Sequence, residues 1–150
     1  MKYVTQKGFT LVEMMVVTTI LGLLIAIGII NLQSANIRAK EASVRSNMHS
    51  FQAVVEIYAT DYNGFYPPNV SSLINDPETS KQRLLFEMNN PFSSLKGITN
   101  SYDEESVTPK QPGLITYEVK SDLASYSIYG YDNRVQRLKQ NGQELILSNK

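Results

Sequence analysis

The hydrophobic pattern of this chain changes character twice along its length. From Phe9 to Ile30 apolar residues are nearly continuous, with Thr18, Thr19, Gly22 and Gly28 as the breaks after Met14 and no charge between Met14 and Ile37. Beyond Ile30 the pattern becomes one-sided. Ile37, Val44, Met48, Phe51, Val55, Tyr58 and Tyr62 recur at spacings of seven, four, three, four, three and four, which is the period of one helix face. Arg38, Lys40, Glu41, Arg45 and Glu56 fall elsewhere, and Glu41 with Arg45 is a favourable acid-then-base pair one turn apart. Asn63-Gly64 supplies a stop and Pro67-Pro68 forbids resumption. The pattern predicts one helix over 9–62, roughly 80 Å long at ~1.5 Å per residue.

From Asn63 to Gly113 the texture is that of a connecting region, and all six prolines lie in it. Short helical turns are expected at Ser71–Ile74 and Lys81–Met88, where Leu84, Leu85 and Met88 dock on the main helix, and Phe92 is expected to plug the core. The remainder, Ser93 to Gly113, reads as polar and mobile. The last third reads as strands. Leu114–Lys120 alternates, with Ile115, Tyr117 and Val119 on one face and Thr116, Glu118 and Lys120 on the other. Tyr126–Tyr131, Val135–Lys139 and Glu144–Ser148 follow, separated by turns at Asp132-Asn133 and Asn141-Gly142, the second a strong hairpin signature. The expected fold is α+β: a long N-terminal helix, transmembrane in its first half and amphipathic in its second, packed against a small C-terminal antiparallel sheet at 114–148 that covers the Met48, Phe51, Val55, Tyr58 stripe.

The composition narrows the function. One small domain beyond the apolar segment is the natural reading of 150 residues. Formal charge is zero, so no nucleic-acid partner is indicated. There is no cysteine, hence no disulfide, and stability must come from packing and neighbours. His49 is a lone histidine beside the core stripe and reads as structural or surface. No metal-ligand spacing, nucleophile–base pair or phosphate loop is visible, so neither an enzyme, a metal site nor a cofactor is expected. Asp103-Glu104-Glu105 lacks the ligand spacing of a calcium loop and reads as a solvated loop. Tyr126, Tyr129 and Tyr131 could form an exterior binding surface, but ordinary strand and core use is the favoured reading.

The residue that needs a special explanation is Glu13. A helix from Phe9 to Ile30 spans roughly 33 Å, about the hydrocarbon thickness of a bilayer. A carboxylate inside it costs on the order of 2.5–3.5 kcal/mol unless compensated. A conventional signal peptide or a simple signal anchor has no use for that acid, and the apolar run is long for the former. Cleavage after Gly8 would place a new amine on Phe9 one helical turn from the carboxylate.

Lys7-Gly8 followed by Phe9-Thr10-Leu11-Val12-Glu13 and the apolar helix resembles the precursors of the type IV pilin and type II secretion pseudopilin superfamily. Asp61-Tyr62-Asn63-Gly64-Phe65-Tyr66-Pro67 resembles the segment that ends the long helix in many of its members. The resemblance implies a leader at 1–8, a membrane and filament-core helix at 9–30, and a head at 31–150 that includes the connecting region 63–113. It also implies cleavage between Gly8 and Phe9 by a prepilin peptidase, methylation of the Phe9 amine, and assembly into a helical homo-oligomeric filament. Glu13 would pair with the Phe9 amine of an adjacent subunit and set its register.

Thr18, Gly22 and Ala26 form a ridge of small residues suited to close helix packing. Further implied partners are membrane lipid before assembly, an inner-membrane assembly platform and other minor pilins. The expected location is the plasma (inner) membrane and then an extracellular or periplasmic filament; Lys2 and Lys7 would keep the leader cytoplasmic. A minor tip pilin that binds a surface or DNA is the alternative. Two features depart from many relatives: Ile30 stands where they carry a proline, and the cysteines of their C-terminal region are absent.

Overall fold

The structure, a computed structural model, describes residues 8–77 and 84–149. Its contacts divide the chain into two compact units that meet in sequence between Asn36 and Ile37. The helix α1, Leu11–Asp61, contributes to both. It continues without interruption through Gly22, Gly28 and Ile30.

In the first unit the helix is exposed at every described position save Ser34, and the exposed side chains include Leu21, Leu23, Leu24, Ile25, Ile27 and Ile30. This is the part of α1 that is apolar and long enough to cross a membrane.

In the second unit α1 buries Val44, Met48, Phe51, Val55 and Tyr58, the inner part of the predicted stripe, and adds Val54 and Ala59. The two ends of the stripe behave differently. Ile37 is exposed, and Tyr62 is 44% exposed, stacked on Tyr58 with ring centroids 4.1 Å apart. Arg45 turns from Glu41 to the carbonyl of Lys139, donating from Nη2 at 3.3 Å. After α1 come α2 (Val70–Asn75), capped by the Asn69 side chain, and α3 (Leu84–Glu87). The expected turn at Lys81–Met88 is represented by α3, with residues 81–83 outside the described ones; Leu85 and Met88 are buried and Phe92 packs partly buried against the core.

A four-stranded sheet in the order β1-β2-β3-β6 closes this core, built from Tyr102–Glu104, Ile115–Val119, Tyr126–Gly130 and Ile146–Ser148. β2, β3 and β6 are antiparallel neighbours, whereas β1 runs parallel to β2 with Tyr102 opposite Ile115. The sheet is therefore mixed rather than wholly antiparallel. β4 (Lys139–Gln140) and β5 (Gln143–Glu144) form a separate hairpin across Asn141-Gly142. Phe51 lies against Tyr102 and Tyr117 at 5.7 and 5.9 Å between ring centroids, joining helix to sheet. At Gly130 the sheet comes so close to α1 that a Cβ would lie 2.6 Å from Met48 Sδ, so a side chain there would force the fully buried Met48 to move.

The fold departs from the sequence pattern in three places. The stretch Ser93–Gly113 is not merely a polar loop: it contains β1 and buries Ser101, Tyr102 and Asp103, because Tyr102 supplies a large core side chain. Within Val135–Lys139 only Lys139 is in a strand; Tyr131 and Arg137 form an isolated bridge, and Leu138 alone turns into the core. Thr116, assigned to the outer face, is fully buried because Glu105 covers that face and accepts its hydroxyl proton.

Candidate functional site

At the start of α1 the sequence Thr10-Leu11-Val12-Glu13 forms a reciprocal cap. The Thr10 backbone N–H and hydroxyl each donate to Glu13 Oε2 at 2.8 Å, and the Glu13 N–H donates to Thr10 Oγ1 at 3.2 Å. A helix start leaves backbone donors without partners, and a threonine followed three residues later by glutamate satisfies two of them. The cap therefore folds the carboxylate back toward the N-terminal end of α1. Phe9, just before it, is 82% exposed. A side chain at Gly8 would meet nothing within 4 Å.

One turn further on, Thr18 Oγ1 donates to the carbonyls of Met14 and Met15 at 3.0 Å, and Thr19 Oγ1 donates to Met15 O at 2.8 Å. Both hydroxyls are thus satisfied by their own helix, so they add polar atoms to an apolar segment without requiring water. Gly22 and Gly28 have open space around them in the single chain. The ridge residues Thr18, Gly22 and Ala26 lie on exposed helix surface.

The second unit holds two carboxylate networks whose partners were not apparent from residue spacing. Glu56, expected on the polar side of α1, accepts hydrogen bonds from Tyr126 at 2.5 Å and Tyr66 at 3.3 Å. Burial, with Glu56 beside it, pushes the Tyr126 hydroxyl well above its usual range. Glu105 accepts from Thr116, from Arg137 Nη2 at 2.7 Å and from Tyr131 at 3.1 Å, and lies 3.4 Å from Lys110 Nζ. Burial disfavours its charge, but these donors and cations together outweigh burial and hold its carboxyl below the ordinary value. The neighbouring Glu104 goes the other way: burial raises it, although the Val70 N–H donates to it.

The acidic run at Asp103–Glu105 is consequently an internal brace rather than a solvated loop. Among the described residues no group of three or more histidine, cysteine, aspartate or glutamate side chains could hold a metal ion. His49 is exposed, whereas Tyr126, Tyr129 and Tyr131 are all buried, in keeping with strand and core use rather than an exterior surface.

Residues 4–29 match the family model described as the prokaryotic N-terminal methylation motif. The chain is 28% identical over 118 residues to the type II secretion system core protein G of Klebsiella michiganensis, covering 77% of this chain and 82% of that protein. It is 33% identical over 96 residues to the type IV wide pilus major component of Thermus thermophilus, covering 64% of this chain and 69% of that protein. No solved structure matches it.

Proposed function

Because this chain belongs to the superfamily of pilins and pseudopilins, structural proteins without catalytic activity, we propose that it is a filament subunit that matures by cleavage between Gly8 and Phe9. The relatives named above belong to a type IV pilus and to a type II secretion system. The filament proposed for this chain is accordingly a pilus or a secretion pseudopilus.

The observation that carries this reading is the apolar first part of α1, whose side chains are exposed and whose lone carboxylate stands at its start. An apolar surface of this length has to be removed from water. In the inner membrane, acyl chains cover it; in the filament, neighbouring helices do. The second state needs close approach of backbones, for which Thr18, Gly22 and Ala26 provide the ridge.

Cleavage exposes the Phe9 amine, which is then methylated. In our reading the Glu13 carboxylate, held toward the chain end by Thr10, pairs with the Phe9 amine of the adjacent subunit. A charge that is costly in lipid thereby becomes a register mark in the filament. A prepilin peptidase and an inner-membrane assembly platform supply the cleavage and extraction, other minor pilins serve as co-subunits, and the assembled filament stands outside that membrane.

The test is filament production by cells carrying Glu13→Ala. Inserted, processed subunits without ordered filaments are expected, and normal filaments from that variant would contradict the register role. Gly8→Trp separates processing from assembly. It should leave the precursor uncleaved in the membrane, and efficient maturation would count against the proposed cleavage position.

A further inference from the structure

The chain contains two Asn-Gly pairs, Asn63-Gly64 and Asn141-Gly142. Their backbones are nearly alike: φ is 55° and 87° in the first pair and 52° and 83° in the second. Both pairs are exposed. An asparagine followed by glycine is the pair in which a peptide nitrogen most readily attacks the side-chain amide before it, because glycine has no Cβ to shield that nitrogen. What separates the two sites is how firmly the fold holds the nitrogen and the peptide around it.

At Asn63 the nitrogen is committed. The Gly64 N–H donates to the carbonyl of Ala59 at 2.7 Å and closes the end of α1. The Phe65 N–H donates to Tyr62 O at 3.0 Å, and the N–H of the buried Tyr66 donates to Leu123 O at 2.9 Å. Turning the Asn63 side chain onto the Gly64 nitrogen means giving up bonds that anchor the helix end to the rest of the second unit.

At Asn141 the restraint is slight. β4 and β5 pair only through Lys139–Glu144 and Gln140–Gln143, and Asn141 and Gly142 form the turn outside that ladder. Every residue from Lys139 to Glu144 is exposed, and a two-stranded hairpin has little stability of its own. Among the described residues its long-range ties are the bond from Arg45 Nη2 to Lys139 O at 3.3 Å and the ion pair of Arg137 Nη1 with Glu144 Oε2 at 3.2 Å. An ion pair this open to water contributes little. The turn therefore opens without disturbing the core.

We propose that Asn141 is a site of spontaneous deamidation, a self-modification that spares Asn63. The Gly142 nitrogen gives its proton to hydroxide and bonds to Asn141 Cγ; the Cγ–Nδ2 bond breaks, and Nδ2 takes a proton from water and leaves as ammonia. The resulting succinimide adds water at either carbonyl and opens to aspartate or isoaspartate. No oxidant, cofactor or enzyme is needed. Either product adds one negative charge to a chain whose formal charge is zero. Isoaspartate also lengthens the backbone by one carbon inside a two-residue turn, which breaks the register of Lys139 with Glu144. The hairpin thus records the time a chain has spent in neutral or alkaline water, whether or not the chain is in a filament.

The experiment is incubation of the full chain in detergent, in heavy-oxygen water at pH 9 and pH 6, followed by peptide mass spectrometry with fragmentation that separates isoaspartate from aspartate. At pH 9 the Asn141 peptide should exchange its amide for an acid carrying one heavy oxygen, at least tenfold faster than the Asn63 peptide, and far more slowly at pH 6. Gly142→Asp, which shields the nitrogen with a residue that tolerates positive φ, should slow the reaction at least tenfold. In urea that unfolds the second unit, the two wild-type sites should convert at similar rates. The proposal is overturned if Asn63 converts as fast as Asn141 in the folded chain, if the rate is the same at both pH values, if Gly142→Asp leaves it unchanged, or if the difference between the sites persists in urea.

Discussion

Thr10 and Glu13 cap one another: the Glu13 carboxylate takes both the N–H and the hydroxyl of Thr10 at 2.8 Å, and the Glu13 N–H returns a bond to Thr10 Oγ1 at 3.2 Å. The acid thus has two separable properties, a hydrogen-bonding shape that starts the helix and a negative charge. Glutamine at position 13 can keep the shape but not the charge. Glu13→Gln should therefore retain a well-formed helix start and membrane insertion while losing filaments about as severely as Glu13→Ala. Amide exchange at Thr10 and Glu13 reports the cap, and the yield of sheared filaments reports assembly. Filaments at normal yield from Glu13→Gln would show that the cap, not the charge, is what assembly requires.

Glu105 and Glu104 give the second unit opposed responses to acid. For Glu105, whose folded value lies below the ordinary 4.5, the stabilisation is complete above that ordinary value and is lost as pH falls through the lowered folded value. For Glu104, raised in the folded state, the contribution is complete below 4.5 and is lost as pH rises through the raised value. Glu105→Gln should cost about 2 kcal/mol near pH 7, from charged hydrogen bonds to Arg137 and its neighbours. That cost should shrink toward pH 3, while Glu104→Gln should give a relative gain near pH 7 that fades in acid. Urea unfolding of the full chain in detergent at several pH values, followed by near-ultraviolet circular dichroism of the buried tyrosines, checks both signs.

Tyr126 ties β3 to α1 through Glu56, at 2.5 Å, and also accepts from Gln52 Nε2 at 3.0 Å. Tyr126→Phe leaves the Glu56 carboxylate with the longer 3.3 Å bond from Tyr66. The expected loss is about 1.5–3 kcal/mol, the range for a hydrogen bond to a charged group. Tyr66→Phe should cost less. A double-mutant cycle on the two tyrosines should show coupling through the shared carboxylate, and strictly additive losses would argue against it.

Gly113 has φ +79°, and a Cβ there would stand 2.2 Å from Asn90 Oδ1 and 2.8 Å from a ring carbon of Phe92. Asn90 cannot easily yield, because it donates to the carbonyls of Asn100 and Pro112 at 2.8 Å and accepts the Phe92 N–H at 2.8 Å. Gly113→Ala combines backbone strain with a clash and should destabilise the second unit by more than about 2 kcal/mol. The same urea unfolding experiment measures this.

The parts of the fold readable in sequence are those with a sustained period or a strong local stop. Val44, Met48, Phe51, Val55 and Tyr58 repeat often enough to mark a buried helix face, and Asn141-Gly142 marks the hairpin turn it occupies. β1 left no such trace: three residues, two of them acidic, pair in parallel with a strand that begins eleven positions beyond them, and only Tyr102 hints at burial. Glu56 was obscured by its position on the polar side of α1, since its tyrosine partners come from elsewhere in the chain. The network at Glu105 likewise draws on Thr116, Tyr131 and Arg137, which only the folded sheet brings together. At the helix start the spelling Thr10-x-x-Glu13 is itself a cap signature. There the sequence itself contains the interaction, because both partners lie within one helical turn.

The central claim, that this chain is a filament subunit matured after Gly8, is tested most directly by mass spectrometry of the N-terminus of protein sheared from the cell surface, with the membrane fraction measured beside it. The account predicts a chain that starts at N-methylated Phe9 in the sheared filaments. A chain that still starts at Met1 in both fractions would contradict it.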